Sequence, residues 1–238
     1  MIGDSAYTPM MSPEDVERIT KWHRQAEALA RSEAAAEPAQ TFDYLGLTLV
    51  VPPEVMPITR VSHTLGNAVL AEVRDGDRVL DMGTGSGVNG ILAATKGAYV
   101  VAVDINPYAV AAAIANAERN GVADRMDVRH GDVFSTVDGA FDVIVFDPPF
   151  RWFAPGDVRE MASTDENYRA MTAFFRDARA HLTESGRMLI FFGTSGDIAY
   201  LCSLADAHAF ACEVVAENEV ERDGVTVHYY THKMTPIT

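Results

Sequence analysis

The sequence is poor in cysteine and in positive charge. Its 238 residues include two cysteines, Cys202 and Cys212. Their spacing matches no C-x-x-C or metal-ligand pattern, so they read as reduced thiols and not as a disulfide scaffold. Nineteen Lys and Arg face 34 Asp and Glu, a formal net charge of −15. A broad basic footprint for phosphate backbones is missing, which argues against duplex nucleic acid as the main partner. The acidic surplus is most simply a solvated surface. No apolar run reaches the roughly 20 residues of a membrane span. The first residues, Met1-Ile2-Gly3-Asp4-Ser5, lack the basic and apolar parts of a signal peptide, and the expectation is a cytoplasmic chain with no membrane contact. The seven histidines do not cluster in metal spacing, and no metal is expected. His228 and His232 alternate with Tyr230 onto one face of the last strand, as surface or satisfied residues. No Ser-His-Asp or Cys-His arrangement has support in the sequence.

What remains fits one α/β domain with a short extension, at 48% hydrophobic content. The division expected is an extension over residues 1–60 and a main domain over 61–238. Residues 1–11 read as a loose terminus. Ser12-Pro13-Glu14-Asp15 opens a helix, with Ser12 as cap and Asp15 reaching back. Val16, Ile19, Trp22 or His23, Ala26 and Leu29 follow at helical spacing, and Ala34-Ala35-Ala36-Glu37-Pro38 ends it. This helix either packs on the main domain or carries Trp22 to a lid or dimer contact. Thr41 to Val51 alternates as a strand or hairpin, and Ser62 to Val73 is a helix. From Arg78 the chain alternates strands (Arg78–Met82, Tyr99–Val103, Met126–His130, Asp142–Phe146, Arg187–Phe192) with helices, among them one capped by Asn106 and closed at Gly121. Another runs from Tyr168 to Leu182 and is stopped by Ser185-Gly186. That order implies a mostly parallel sheet covered on both faces. Cys212–Val220 and Val225–Met234 then form a final antiparallel hairpin.

Two runs end strands in chemistry. Gly83, Gly85 and Gly87 follow a strand and precede a helix, where a nucleotide can approach the backbone and meet a helix amino terminus. Asp104 ends the next strand and suits ribose hydroxyls. Asp132 ends the third and suits the amine of an adenine, with Val133 against the ring. Gly85, Gly87 and Gly90 with Asp104 also satisfy a dinucleotide fingerprint, so the loop by itself leaves a nicotinamide cofactor open. The second run is Asp147-Pro148-Pro149-Phe150. Two prolines fix an extended path and remove two amide donors. The Asp147 carboxylate and the Pro148 carbonyl are then free to accept, beside the flat face of Phe150. Such a corner holds a planar N–H group. In Arg151-Trp152-Phe153-Ala154-Pro155-Gly156 the aromatics are either a substrate lid or tucked onto the core.

These residues resemble the class I S-adenosylmethionine-dependent methyltransferases. The likeness is carried by Asp81-Met82-Gly83-Thr84-Gly85-Ser86-Gly87, Asp104-Ile105-Asn106, Gly131-Asp132-Val133, Asp147-Pro148-Pro149-Phe150 and the Leu182–Leu189 turn before a strand. It implies a Rossmann-like seven-stranded, mostly parallel sheet with a C-terminal antiparallel hairpin and an N-terminal helical extension. It implies S-adenosylmethionine held by Asp81, Gly83, Thr84, Gly85, Gly87, Asp104, Ile105, Asp132, Val133 and Asp147. It implies catalysis by Asp147, Pro148 and Phe150, with the acceptor nitrogen aimed at the sulfonium methyl. The Asn/Asp-Pro-Pro-Tyr/Phe subgroup methylates exocyclic or amide nitrogens and includes the release-factor glutamine methyltransferases and adenine-modifying enzymes of RNA and DNA. This chain departs from those by Asp147 and Phe150 in place of Asn and Tyr. In the upstream run Ile58-Thr59-Arg60-Val61-Ser62-His63-Thr64 only Arg60 matches. The reading is N-methylation of an amine, amide or guanidinium on a small molecule or protein side chain. The alternatives are an exocyclic amine of nucleic acid, or other sulfonium chemistry on the same cofactor. The oligomeric state is left open.

Overall fold

The computed structural model describes residues 7–34 and 39–237. Helix α1 (Pro13–Ala34) begins as expected: the Asp15 amide donates to Ser12 Oγ at 3.1 Å and that hydroxyl donates to the Asp15 carboxylate at 2.7 Å. The expected end of this helix at Ala35–Pro38 lies outside the described residues. Ile19 and Trp22 are 1% and 2% exposed and pack with Val227 of the C-terminal hairpin. Trp22 Nε1 donates to Asp223 at 3.0 Å, and the Arg222 guanidinium sits 4.9 Å over its ring. Trp22 is therefore a packing residue, not a displayed contact. The described part of the terminus is not loose either. Tyr7 Oη and the Met10 amide donate to Asp197 at 2.8 and 2.7 Å. The sequence hid this anchor because its partner lies 190 residues away.

Strands β1 (Gln40–Tyr44) and β2 (Leu47–Val51) form a hairpin. Its turn places Leu45 and Gly46 at φ 48° and 85°, the two left-handed positions of a type I′ turn. The free edge of β2 is satisfied by side chains of α4 (Pro107–Arg119) and of its C-cap. Asn116 accepts from the Val50 amide and donates to its carbonyl; Asn120 does the same for Thr48. Tyr44, Leu47 and Leu49 share one apolar core with α2 (Ser62–Glu72) and with α3 (Val88–Thr95).

The main sheet adds β3 (Arg78–Met82), β4 (Tyr99–Asp104), β5 (Met126–His130), β6 (Phe141–Phe146), β7 (Leu182–Gly193), β8 (Phe210–Arg222) and β9 (Val225–Pro236). Its order is β5-β4-β3-β6-β7-β9-β8, with β9 antiparallel to both neighbours and the β3–β7 set parallel. Alternate residues of β3 face opposite layers. Val79 meets α2 and α3, while Leu80 and Met82 meet α5 (Arg169–Ala178) and α6 (Ile198–Ala207). The hairpin turn Asp223-Gly224 has φ 52° and 76°, again type I′.

Two boundaries differ from expectation. Helix α5 ends at Ala178, a 3-10 turn covers Arg179–His181, and β7 begins at Leu182. Ser185-Gly186 does not stop a helix; it lies in an irregular stretch of β7 between the partners of Phe141 and Val143. A Cβ at Gly186 would lie 2.8 Å from the Phe141 carbonyl, so glycine is what allows this approach. Helix α6, opened by the Asp197 carboxylate accepting from Tyr200, was not foreseen.

Candidate active site

The chain runs from β3 to β4 and β5 on one side and returns through β6 and β7 on the other. The carboxyl ends of β3 and β6 therefore flank the switch point of the sheet, where open α/β folds bind ligands. The glycine loop, Asp104, Asp132 and Asp147 all follow strands at that edge.

Asp81, 1% exposed, braces the glycine loop from beneath. One of its oxygens accepts from Thr84 Oγ1 at 2.5 Å and from the Gly90 amide at 2.8 Å. Burial pushes its carboxyl up to about 6; those two bonds oppose the shift and the Asp104 charge adds to it. A Cβ on Gly90 would lie 3.0 Å from the same oxygen, so Gly90 serves packing inside α3 and not a dinucleotide phosphate. Gly83, Gly85 and Gly87 have φ of 65°, 56° and 88°, which side chains rarely adopt. Gly87 is crowded by Ala113 of α4, whereas a Cβ on Gly85 would meet open space. Asp104 accepts from the Gly85 amide and the Asn106 amide, both at 2.8 Å. Burial raises its pKa against those bonds. Each of its oxygens keeps a further lone pair for a ribose hydroxyl. The open face at Gly85, the α3 amino terminus and Asp104 thus suit the ribose and amino-acid parts of S-adenosylmethionine. Asn106 caps α4 as expected, accepting from the Tyr108 amide at 2.9 Å. Its side chain also donates to the Glu54 carbonyl at 2.8 Å, which ties the segment after β2 to the site. Ile105 is an exposed neighbour at that corner.

Asp132 stands at the end of β5, where Arg169 pairs with it at 3.1 Å. That ion pair was not legible in the sequence. Val133 holds φ 48°, a strained setting for a β-branched residue and one that gathers at functional sites.

Asp147 is open to solvent, yet surrounded by protein that disfavours its charge. Burial, then the Asp81 charge, pushes its carboxyl up to about 7. Among the described residues no hydrogen bond engages its side chain. Pro148 behind it is buried. Phe150, half-buried, sits 4.7 Å from the Phe192 ring and 6.0 Å from the Tyr229 ring. Its carbonyl accepts from Tyr168 Oη at 2.7 Å. The loop aromatics are tucked in: Trp152 lies 6.0 Å from the Tyr7 ring, and Phe153 lies 5.0 Å from the His23 ring.

Three site neighbours escaped sequence reasoning. Tyr44 feels the Asp147 charge, and burial first, then that charge, holds its hydroxyl above the ordinary range. It donates to the Ser62 carbonyl at 2.7 Å, and a Cβ on Gly66 would collide with its Oη. Tyr168 and Ser195 reach the site only through the fold. Arg60 is exposed, and no hydrogen bond or ion pair joins it to Asp147 among the described residues. Away from the site, strand pairing brings Cys212 Sγ to 3.3 Å from His232 Nδ1, a Cys–His contact that the sequence did not suggest. Burial pushes this thiol up to about 11, so it is protonated and a poor nucleophile. No cluster of three or more His, Cys, Asp or Glu fit to hold a metal occurs among the described residues.

A family model described as the Methyltransferase small domain matches residues 62–220. The chain belongs to the methyltransferase small domain family. That is a class I S-adenosylmethionine-dependent methyltransferase family, and the match spans the glycine loop, Asp104, Asp132 and Asp147. The chain is 34% identical over 173 residues to a ribosomal RNA small subunit methyltransferase C of Chromohalobacter salexigens, covering 69% of this chain and 48% of that protein. It is 34% identical over 131 residues to a release factor glutamine methyltransferase of Cereibacter sphaeroides, covering 49% and 47%. The chain thus spans about half the length of either relative. The solved structure of M. jannaschii TYW2 in complex with AdoMet matches with a TM-score of 0.58 at 13% identity, covering 84% of this chain and 88% of that one. At that identity the likeness bears on the fold alone. Membership in this family sets aside the nicotinamide reading of the glycine loop.

Proposed function

We propose that the chain transfers the methyl group of S-adenosylmethionine to a nitrogen of a small molecule or a protein side chain. One observation carries the acceptor side. Asp147, fixed by two prolines beside the Phe150 ring, presents a carboxylate with no partner among the described residues. Asp81, Gly83, Thr84, Gly85, Gly87, Asp104, Ile105, Asp132 and Val133 would hold the cofactor, whose chemistry is an electrophilic sulfonium methyl. The work left to this chain is positioning. The Asp147 carboxylate accepts an N–H of the acceptor and so turns the lone pair toward the methyl carbon. It also faces the positive charge that grows on nitrogen as the bond forms. Phe150 stacks on the acceptor plane. A carboxylate here suits an amine or guanidinium at least as well as a neutral amide.

Tritiated methyl transfer to a panel of amines, amides and guanidines tests this. Asp147→Ala should keep S-adenosylhomocysteine affinity within about twofold and lose roughly 100-fold or more in turnover, the range for one aligned catalytic group. Equal turnover by the variant removes Asp147 from the mechanism. The ribosomal RNA relative favours a second reading, an exocyclic amine of RNA. The net charge of −15 opposes it. Retention on a polyanionic resin at low salt would revive it.

A further inference from the structure

Arg151 follows the Asp-Pro-Pro-Phe run directly and has no part in the mechanism above. Its Nε is buried without a hydrogen-bond partner. Its Nη1 has one, Ser195 Oγ at 3.5 Å, the outer limit for such a bond. Ser195, 2% exposed, donates to Tyr229 Oη at the same 3.5 Å. Three polar groups thus converge without closing on one another. No carboxylate pairs with Arg151 among the described residues, and the acids on adjoining segments are engaged. The Asp165 amide donates to the Arg151 carbonyl at 2.7 Å, but its carboxylate takes the amides of Ala170 and Met171, both at 3.0 Å. Asp197 accepts from Tyr7, Met10 and Tyr200.

A guanidinium nitrogen buried without a partner is costly. Burial pulls its pKa down to about 10, opposed by Tyr229 and Tyr168 and reinforced by Arg222. A buried polar group left unsatisfied calls for an explanation, and perturbed ionisable groups cluster at functional sites. The planar fork of arginine matches carboxylate and phosphate oxygens better than any other side chain. The location fits a ligand as well. Tyr229, which touches this cluster, also lies 6.0 Å from the Phe150 ring, so the cluster adjoins the residue that closes the Asp-Pro-Pro-Phe run.

We propose that the methyl acceptor carries an anionic oxygen group, carboxylate or phosphate, bound by Arg151 with the hydroxyls of Ser195 and Tyr229 while Asp147 holds the nitrogen. The inference rests on reading Asp147 as the acceptor site, and it narrows the substrate class to molecules bearing both a nucleophilic nitrogen and an anion.

The test is thermal unfolding of the full chain titrated with sodium phosphate and, separately, sodium acetate, at ionic strength held constant with chloride. Wild type and Arg151→Met are compared. The expected result is a saturable rise in unfolding temperature for wild type with at least one anion, and at least a tenfold loss of apparent affinity in Arg151→Met. The anion that acts distinguishes phosphate from carboxylate. With chloride as the only added anion Arg151→Met should unfold at the wild-type temperature or above it, because it removes a guanidinium whose Nε is buried without a partner. A response that does not saturate, or one undiminished in Arg151→Met, overturns the proposal. A lowered unfolding temperature together with an undiminished response assigns Arg151 to structure alone. Calorimetry with S-adenosylhomocysteine on the same two proteins separates the failures. No binding by wild type sinks the methyltransferase reading, whereas binding without any Arg151-dependent anion response sinks this inference alone.

Discussion

Asp147 and Asp81 share one electrostatic fate. Both are carboxylates whose surroundings favour the neutral acid, at about 7 and about 6 respectively. The sign of the consequence is opposite to that of a salt-bridged acid. Between about pH 4 and 7 the folded chain holds protons on these groups that the unfolded chain has released. Their contribution to stability is therefore fullest at the acid end and declines as the pH rises through 6 and 7. Asp147→Asn removes its share of that slope. The variant should gain stability relative to wild type on going from pH 5 to pH 8, read by urea denaturation at the two values. A difference that stays constant, or shrinks, contradicts the raised pKa of this carboxylate. At this scale the sequence was most informative. Asp147-Pro148-Pro149-Phe150 and the glycine loop announce their chemistry because proline and glycine constrain the backbone locally, with no help from distant residues. Tyr44, Tyr168 and Ser195 have no such local mark; they become site neighbours only when the chain folds.

At the level of elements, the site depends on how the β1–β2 hairpin and α4 are tied to the glycine loop. Asn116, 0% exposed, makes that tie: it bonds both backbone groups of Val50 and donates to the Ser86 carbonyl at 2.9 Å. Asn116→Ala leaves those groups without partners in a buried place. The expected loss is about 2–4 kcal/mol of stability, with a weaker S-adenosylhomocysteine affinity, both measurable on the purified variant. A loss under about 0.5 kcal/mol shows that the hairpin and loop hold their places independently. The hydrophobic periodicity and the Asn106 cap placed most helices and strands correctly. It failed at Ser185-Gly186, where glycine answers to the Phe141 carbonyl across the sheet and not to a helix end. It also failed at α6, whose start depends on an aspartate that simultaneously anchors the chain near Tyr7.

Over the whole molecule, the order β5-β4-β3-β6-β7-β9-β8 sets two half-sites side by side. The glycine loop and Asp104 lie on one side of the switch point, and Asp147 with Phe150 on the other. Alternating strand and helix patterns made this architecture readable in advance, since a parallel sheet with right-handed crossovers leaves few orders open. The packing of α1 on the hairpin was less readable, because Trp22 finds Asp223 and Val227 across almost the full length of the chain. The central claim is that the crevice takes S-adenosylmethionine. Isothermal calorimetry with S-adenosylhomocysteine on wild type and Asp104→Ala tests it most directly. Wild type should bind one equivalent. The variant, missing an acceptor worth about 1.5–3 kcal/mol, should bind roughly 10- to 100-fold more weakly. No heat of binding in wild type at high ligand concentration, or equal affinity in the two proteins, would contradict the account.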